Sequence, residues 1–307
     1  MKMRISLWSG FLSICMGCAA LPVELPAAQG FAVEKGESSV TVTLDGEVFT
    51  TYKFGENLKY PFFYPVNGPV SGDSVTVHNS QPFPHHSSLF FGCDHVNGKN
   101  FWQPADDLST GQIRAHGVDM EVTDSDRVVL TSISDWARPG DEPIMRDHRR
   151  IHITAPSDSL RFIDFEITLE PLVDVRIRRN NHSLFAARMA PDLAVTGEGT
   201  LVNAEGDRNE DGTFGKRSPW LAGYGPRGDG AEGLAIFTHP ENRWHPAPWF
   251  TRDYGFISPT PMQWLEEGHM DLPARETFTL RYRVVVFSGD PESADLAGLY
   301  AQYMGTP

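Results

Sequence analysis

Cysteine is nearly absent from this chain. Of 307 residues only three are Cys, and two of them, Cys15 and Cys18, fall in the first twenty positions, leaving Cys93 alone in the remainder with no internal disulfide to form. A Cys-rich zinc site is excluded for the same reason, so any metal would need His and carboxylate ligands. No apolar run approaches the roughly 20 residues of a membrane-spanning helix. A Gly-rich nucleotide loop, a His-Glu-x-x-His helix and a Gly-x-Ser-x-Gly elbow are all missing, which sets aside several common enzyme classes. Positive charge is scarce too: 26 Lys and Arg against 40 Asp and Glu leave a net charge of −14. So acidic a chain is a poor partner for nucleic acid or anionic lipid.

What is present begins with a leader. Lys2 and Arg4 precede an apolar run from Ile5 to Met16 and the small residues Gly17, Ala19 and Ala20, the pattern of an export signal over residues 1–20. Cys18 follows Gly17 as the modified cysteine of a bacterial lipoprotein would, while Cys15 and Met16 fit that pattern poorly; simple cleavage near Ala19 or Ala20 is the competing reading. Removal of residues 1–20 takes away two positive charges and no negative one, bringing the net charge to −16. The expected location is export to the periplasm, or to the outer membrane through a lipid on Cys18.

Beyond the leader, 28 Gly and 23 Pro punctuate segments that mostly alternate with period two, which predicts an antiparallel all-β protein in one domain over residues 30–307. Strands are expected at 39–43, 47–54, 74–78, 127–133, 149–153, 163–169, 173–177 and 277–287. Asp45-Gly46 is a hairpin signal between the first two. Ile163, Phe165, Ile167 and Leu169 share one face of their strand and Asp164, Glu166 and Thr168 the other. A C-terminal helix is expected where Asp290 can cap, Pro291 suits the first turn, and Leu296, Leu299, Tyr300 and Tyr303 form a stripe. Residues 135–148 and 203–230 read as long loops, of the kind that carry function or move.

Two histidine-rich stretches are candidates for chemistry. His85, His86 and His95 occur among aromatics and turn formers within residues 81–102, and imidazole is the side chain suited to proton transfer near neutral pH. In an extended backbone only one of His85 and His86 can enter a cleft while the other packs behind it; a turn set by Pro84 would admit both. Asn97-Gly98 reads as a tight turn, with Asn97 also a candidate binding residue, and Trp102 as either a core ring or a platform for a sugar. The second stretch, residues 237–259, sets His239, Arg243, His245, Arg252, Asp253 and Tyr254 among Trp244 and Trp249, as in the lining of a small-molecule cleft. Its plainer reading is a proline-pinned loop in which Arg252 and Asp253 form a surface ion pair. Lys216 and Trp220 join the candidates from the preceding loop. Asp164 and Glu166 lie about 6.6 Å apart along one strand face; paired carboxylates can serve glycoside hydrolysis, but an alternating strand more often shows its charged side to water.

Tyr64-Pro65, the block from His85-His86 through Val96-Asn97-Gly98 to Phe101-Trp102, residues 214–220, and His239-Pro240 through Asp253-Tyr254-Gly255 to residues 280–283 resemble, in order, the PmoA-like family of exported bacterial proteins. The label suggests a methane monooxygenase subunit, which the lack of membrane spans argues against. Members look like neighbours of sugar-degradation systems. The resemblance implies a large sandwich similar to galactose-mutarotase-like proteins, in which His and acidic side chains on a concave sheet move protons at a sugar. This chain departs from the family's pattern at Cys93 and at Ser87-Ser88.

The resulting expectation is a carbohydrate-active lyase, hydrolase or epimerase with His85 or His86 as base and His239 or Asp253 as its partner around one hollow. Tyr254, Arg252 and Lys216 would then hold hydroxyls or an anionic group, with Trp102 or Trp249 under the ring and Asn97, Trp220 and His245 alongside. Two alternatives stay open: a divalent metal held by two or three of these histidines with an Asp, and a glycan-binding protein without catalysis.

Overall fold

The computed structural model describes residues 30–123, 126–181 and 183–305. The leader, with Cys15, Cys18 and the anchor expected there, lies outside them. Eighteen strands follow one another: β1 Phe31–Lys35, β2 Ser39–Leu44, β3 Glu47–Lys53, β4 Phe62–Val66, β5 Leu89–Gly92, β6 Gln112–Thr123, β7 Arg127–Ala137, β8 Met145–Ser157, β9 Leu160–Pro171, β10 Val175–Arg178, β11 Leu184–Arg188, β12 Thr200–Asn203, β13 Trp220–Arg227, β14 Gly230–Thr238, β15 Trp249–Arg252, β16 Phe256–Pro259, β17 His269–Leu272 and β18 Phe278–Ser288. Two α-helices, α1 Asn209–Thr213 and α2 Leu296–Met304, and three single 3-10 turns complete the set among the described residues. No helix among the described residues is long and apolar enough to cross a membrane.

The strands pair into two eight-stranded sheets. Sheet one runs β1-β2-β3-β4-β5-β11-β16-β15 and sheet two β12-β13-β14-β18-β9-β8-β7-β6, while β10 and β17 form a separate ribbon. The result is the antiparallel β-sandwich that the alternation predicts. Period two decides which side chains meet between the sheets: Phe63 of β4 meets Phe165 of β9 edge-on at 5.6 Å, and Phe185 of β11 stacks on Tyr282 of β18 at 4.4 Å. Charged and aromatic polar groups that enter this interior find partners there, as burial demands. Arg149 grips Asp147 at 2.7 and 3.0 Å, Trp136 donates to the same carboxylate at 2.7 Å, and Tyr52 bonds Ser132 at 3.2 Å.

Alternate residues of the same strands face outward. On sheet two Phe237, Val285 and Phe287 form a second apolar cluster, covered by Leu296, Tyr300 and Tyr303 of α2. The predicted helical stripe is therefore a lid over the outside of this sheet. The cap differs from expectation: Asp295, in left-handed backbone at φ 50°, accepts from Gly298 N, while Asp290 holds the preceding turn by accepting from Ser293 N. Asp45-Gly46 and Asn97-Gly98 both take positive φ, as two-residue hairpin turns require.

Three expected elements differ. Residues 74–78 form only isolated bridges, Asn67 to Ser74, Thr76 to Met189 and His78 to Ser87, because they cross between partners instead of following one. Residues 135–148 are a loop only over 138–144; the rest are the ends of β7 and β8, where Asp135, Arg146 and Asp147 are charged yet paired. Residues 203–230 contain α1 and β13.

Candidate functional site

The outer face of sheet one carries the histidine pair. Phe62, Phe90 and Phe256 point outward beside the inward Phe63, Phe91 and Ile257. Over them folds a loop whose arms are tied by Asn79 N to His86 O at 3.1 Å and Ser88 N to Val77 O at 3.0 Å. At its tip a turn after Pro84 sends adjacent imidazoles in different directions. His86 is fully buried among Phe256 at 4.5 Å, Phe83 at 5.3 Å, Trp102 at 5.9 Å and Tyr254 at 6.1 Å. His85 is half-buried and lines a cavity of about 720 Å³. One histidine enters the hollow and its neighbour packs behind it.

The main chain of His85 is held from two sides. Trp102 Nε1 donates to its carbonyl at 2.9 Å, and the Tyr60 hydroxyl donates to the same oxygen. Trp102 is itself positioned by Asp94, whose Oδ1 accepts from the main-chain N–H of Trp102 and Gln103, both at 3.0 Å. Burial pushes the Asp94 carboxyl up, opposed by those two N–H groups.

The same cavity is lined by Lys59, Tyr60, His78, Asn79, Gln81, Ser87, Asn100, Gln103 and Asp106. Lys59 Nζ donates to Asp107 O and to Thr110 Oγ1, each at 2.6 Å. Desolvation lowers the pKa of Lys59, and it lowers those of His78 and His85, so both imidazoles favour the neutral, proton-accepting form. Amides, a hydroxyl and an amine around two neutral imidazoles suit a polyhydroxylated ligand.

The other candidates divide among different places. Tyr254 joins the His86 box, stacking on Phe83 at 4.5 Å beneath the Arg188 guanidinium at 4.4 Å. Asp253 does not orient an imidazole: its Oδ1 accepts from Glu210 N at 2.9 Å and its N–H donates to Glu210 Oε2, which closes the start of α1. Arg252 pairs with Glu210 at 2.7 Å between the rings of Phe214 and Phe250, not with Asp253. Trp102 is 1% and Trp249 0% exposed, so neither offers a face to a sugar. Trp249 donates to Ser218 O, and Trp220 packs against Phe237. His245 clamps α2 through Thr238 Oγ1 at 3.0 Å and the Tyr300 hydroxyl at 3.4 Å. Asn97 ties its turn to β10 through Asp174 O and Arg176 N. Lys216 is exposed, and its main chain pairs with Trp249. His95 is an exposed turn residue at φ 59°. Cys93 is buried, its thiol pushed up to about 12 by desolvation.

His239 lies on the far side. It follows β14 on the outer face of sheet two, against Tyr303 at 5.3 Å, and lines a second cavity of about 570 Å³ together with Asp164, Glu166 and His152. The lining of this cavity shares no residue with that of the His85 cavity. The expectation of one hollow joining His85 and His239 is thus corrected: the side chains sit on opposite outer faces, with the packed core between. No three His, Cys, Asp or Glu side chains among the described residues are grouped to hold a metal.

Sequence reasoning missed Lys59, His78, Asn79, Gln81, Asn100, Gln103 and Asp106. The signal for His78 was misread, since the apparent strand 74–78 carries it to the cavity rim. The amides carry no distinguishing pattern in the linear order.

With this geometry in hand, comparison with known proteins places the chain. Residues 39–301 match DUF6807, a family of unknown function. The chain belongs to that family. It is this family, and not the PmoA-like one its motifs resemble, that the match shows. No curated protein matches the chain. Among solved structures, galactose 1-epimerase from Lactobacillus acidophilus NCFM is similar at TM-score 0.42 and 10% identity, over 85% of this chain and 98% of that one. A GH36 α-galactosidase from Geobacillus stearothermophilus gives 0.40 and 9%, over 85% of this chain and 40% of that one. Heparan sulfate lyase from Pedobacter heparinus gives 0.35 and 10%, over 85% and 36%. These neighbours are sugar-active enzymes. Their likeness is loose, and the fold rests on the strand pairing itself.

Proposed function

We propose that this protein is an exported carbohydrate-active enzyme whose site is the cavity over β4 and β5, with His85 as its base. The observation that carries the reading is the placement of His85: its imidazole forms part of the wall of a roughly 720 Å³ hollow, while its carbonyl is pinned by Trp102 and Tyr60. A cavity of that size accommodates a ligand of one or two sugar rings. Burial keeps the imidazole neutral, so it is ready to take a proton from a sugar hydroxyl or an acidified sugar carbon. His78 is the second proton carrier in the same lining, replacing His239 and Asp253 in that role. Asn79, Gln81, Asn100 and Gln103 would bind hydroxyls, and Lys59 an oxidised or anionic substituent. Lyase, hydrolase and epimerase reactions all begin with such a proton transfer.

The test is a screen of the protein lacking residues 1–20 against neutral and oxidised sugars, with products identified by NMR. On a substrate so found, His85→Ala should lower kcat by about a hundredfold or more, in the range of a lost general base, and His239→Ala should leave it unchanged. Full activity in His85→Ala removes the proposal; binding without turnover that survives His85→Ala favours a glycan-binding role. Export is tested separately by fractionating cells and weighing the N-terminal peptide, where a diacylated Cys18 or a start near residue 20 is expected.

A further inference from the structure

The second cavity, on the outer face of sheet two, has an unusual charge for this molecule. Strands β8, β9 and β18 bring their outward side chains into register there, His152 opposite Asp164 and Arg150 opposite Glu166 on one side, Arg283 opposite Asp164 and Arg281 opposite Glu166 on the other. The acids are already matched. Arg283 holds Asp164 through two bonds of 2.6 and 2.8 Å, and Arg281 is shared between Glu166 at 2.9 Å and Glu241 at 2.7 Å. Two further guanidiniums, Arg127 and Arg150, line the same hollow.

Among the described residues these two are not matched by acids. Arg150 donates its Nε to His152 Nε2 at 3.0 Å, an uncharged acceptor. Neither Arg127 nor Arg150 forms an ion pair among the described residues. Four guanidiniums therefore face two carboxylates in the lining, and Glu241 at the edge leaves the balance still positive. In a chain of net charge −14 this excess is concentrated in a concave site of about 570 Å³. Gathering like charges without a counter-ion is unfavourable, and a planar guanidinium fork matches a carboxylate or sulfate in geometry as well as sign. Asp164 and Glu166 stay partly exposed beside the forks, with 27% and 43% of their side-chain surface open, and keep lone pairs for hydroxyl donors.

We propose that this hollow binds an acidic sugar, its carboxylate or sulfate on Arg127 and Arg150 and its hydroxyls on Asp164 and Glu166. The site is separate from the His85 cavity, so the two readings stand or fall independently.

Calorimetric titration of the protein lacking residues 1–20 tests it, with glucuronate, glucose and inorganic sulfate as probes. Glucuronate should bind, more weakly as salt is raised, while any binding of glucose should be independent of Arg127 and Arg150. Affinity should fall about tenfold or more in Arg127→Ala/Arg150→Ala, the scale of a lost charge-assisted bond, with a smaller loss in Arg150→Lys and none in His85→Ala. Both arginines are exposed, and a thermal melt matching the parent establishes that the variants fold. The proposal is overturned if glucuronate does not bind, if the double variant keeps the full affinity for glucuronate, if that variant loses glucose binding to the same extent, or if sulfate alone binds as tightly, which would mark a site for free oxyanions and not for a sugar.

Discussion

Trp102 donates its indole N–H to the main-chain carbonyl of His85 at 2.9 Å, across seventeen residues of chain. Through that bond a fully buried ring sets the position of a half-exposed imidazole. The arrangement extends backwards to Asp94, which orients Trp102, and sideways to Tyr60, which shares the carbonyl.

Trp102→Phe should therefore disturb the cavity without removing any group that lines it. Loss of one buried hydrogen bond and part of a ring is expected to cost about 2 kcal/mol. On a discovered substrate kcat should fall while the acid limb of the pH profile stays in place, since the imidazole is still present. Denaturant melts and a pH–rate series measure the two effects; an acid limb that moves would place Trp102 in control of His85's protonation instead of its position.

The acid limb itself has a predicted side. Burial lowers the His85 pKa from its ordinary 6.5, so the neutral base survives as pH falls through that value and is lost only below it. The same shift affects stability. An unfolded chain takes up the proton at about 6.5 and the folded one resists, so stability is full above that value and declines as pH falls below it. His78, His152 and His245, all lowered mainly by burial, act with the same sign. Asp94, raised by burial, opposes them at more acid pH. Melts between about pH 8 and 5.5 should show a falling Tm, and a rising one would contradict the burial argument.

Asp253→Ala should act on stability and not on catalysis. Its carboxylate caps α1 through Glu210 N, a contribution of about 1 kcal/mol, and Asp253→Asn should recover most of it. An orienting carboxylate would instead show as a loss of kcat with a shifted pH profile. Equilibrium unfolding beside kinetics separates the two outcomes.

Glu232 is expected to be the costlier loss. Its carboxylate, 1% exposed, accepts from Val70 N at 2.6 Å, Ser71 N at 2.8 Å and Ser71 Oγ at 2.5 Å, and lies 3.6 Å from Arg227. Glu232→Ala strands those donors and should cost about 3 kcal/mol by chemical denaturation. Gly68→Ala should also destabilise, because a methyl group there meets the same carboxylate.

Much of the fold was legible because period two and turn chemistry are local. Ile163, Phe165, Ile167 and Leu169 declared an inward face, Asp45-Gly46 and Asn97-Gly98 declared their turns, and Leu296, Tyr300 and Tyr303 declared a packing stripe. Misreadings came where charge was taken for solvent exposure. Asp147 was assigned to a loop, yet it is buried because Arg149 and Trp136 satisfy it from neighbouring positions. The candidate site was legible in part: His85 was found because imidazoles are rare and crowded there, while Asn79, Asn100 and Gln103 gave no sign, since an amide becomes a ligand only by where it is carried.

By itself the sequence determined alternation, hence an antiparallel sandwich, because that follows from backbone geometry within a few residues; whether the chain after Pro84 admits one or both of His85 and His86 to a cleft it left open. Only the tertiary structure decided which face of which sheet each strand turns outward. That choice depends on pairing between distant segments, and it placed His85 and His239 on opposite sides of one core, dividing what reads as one chemistry into two separate hollows.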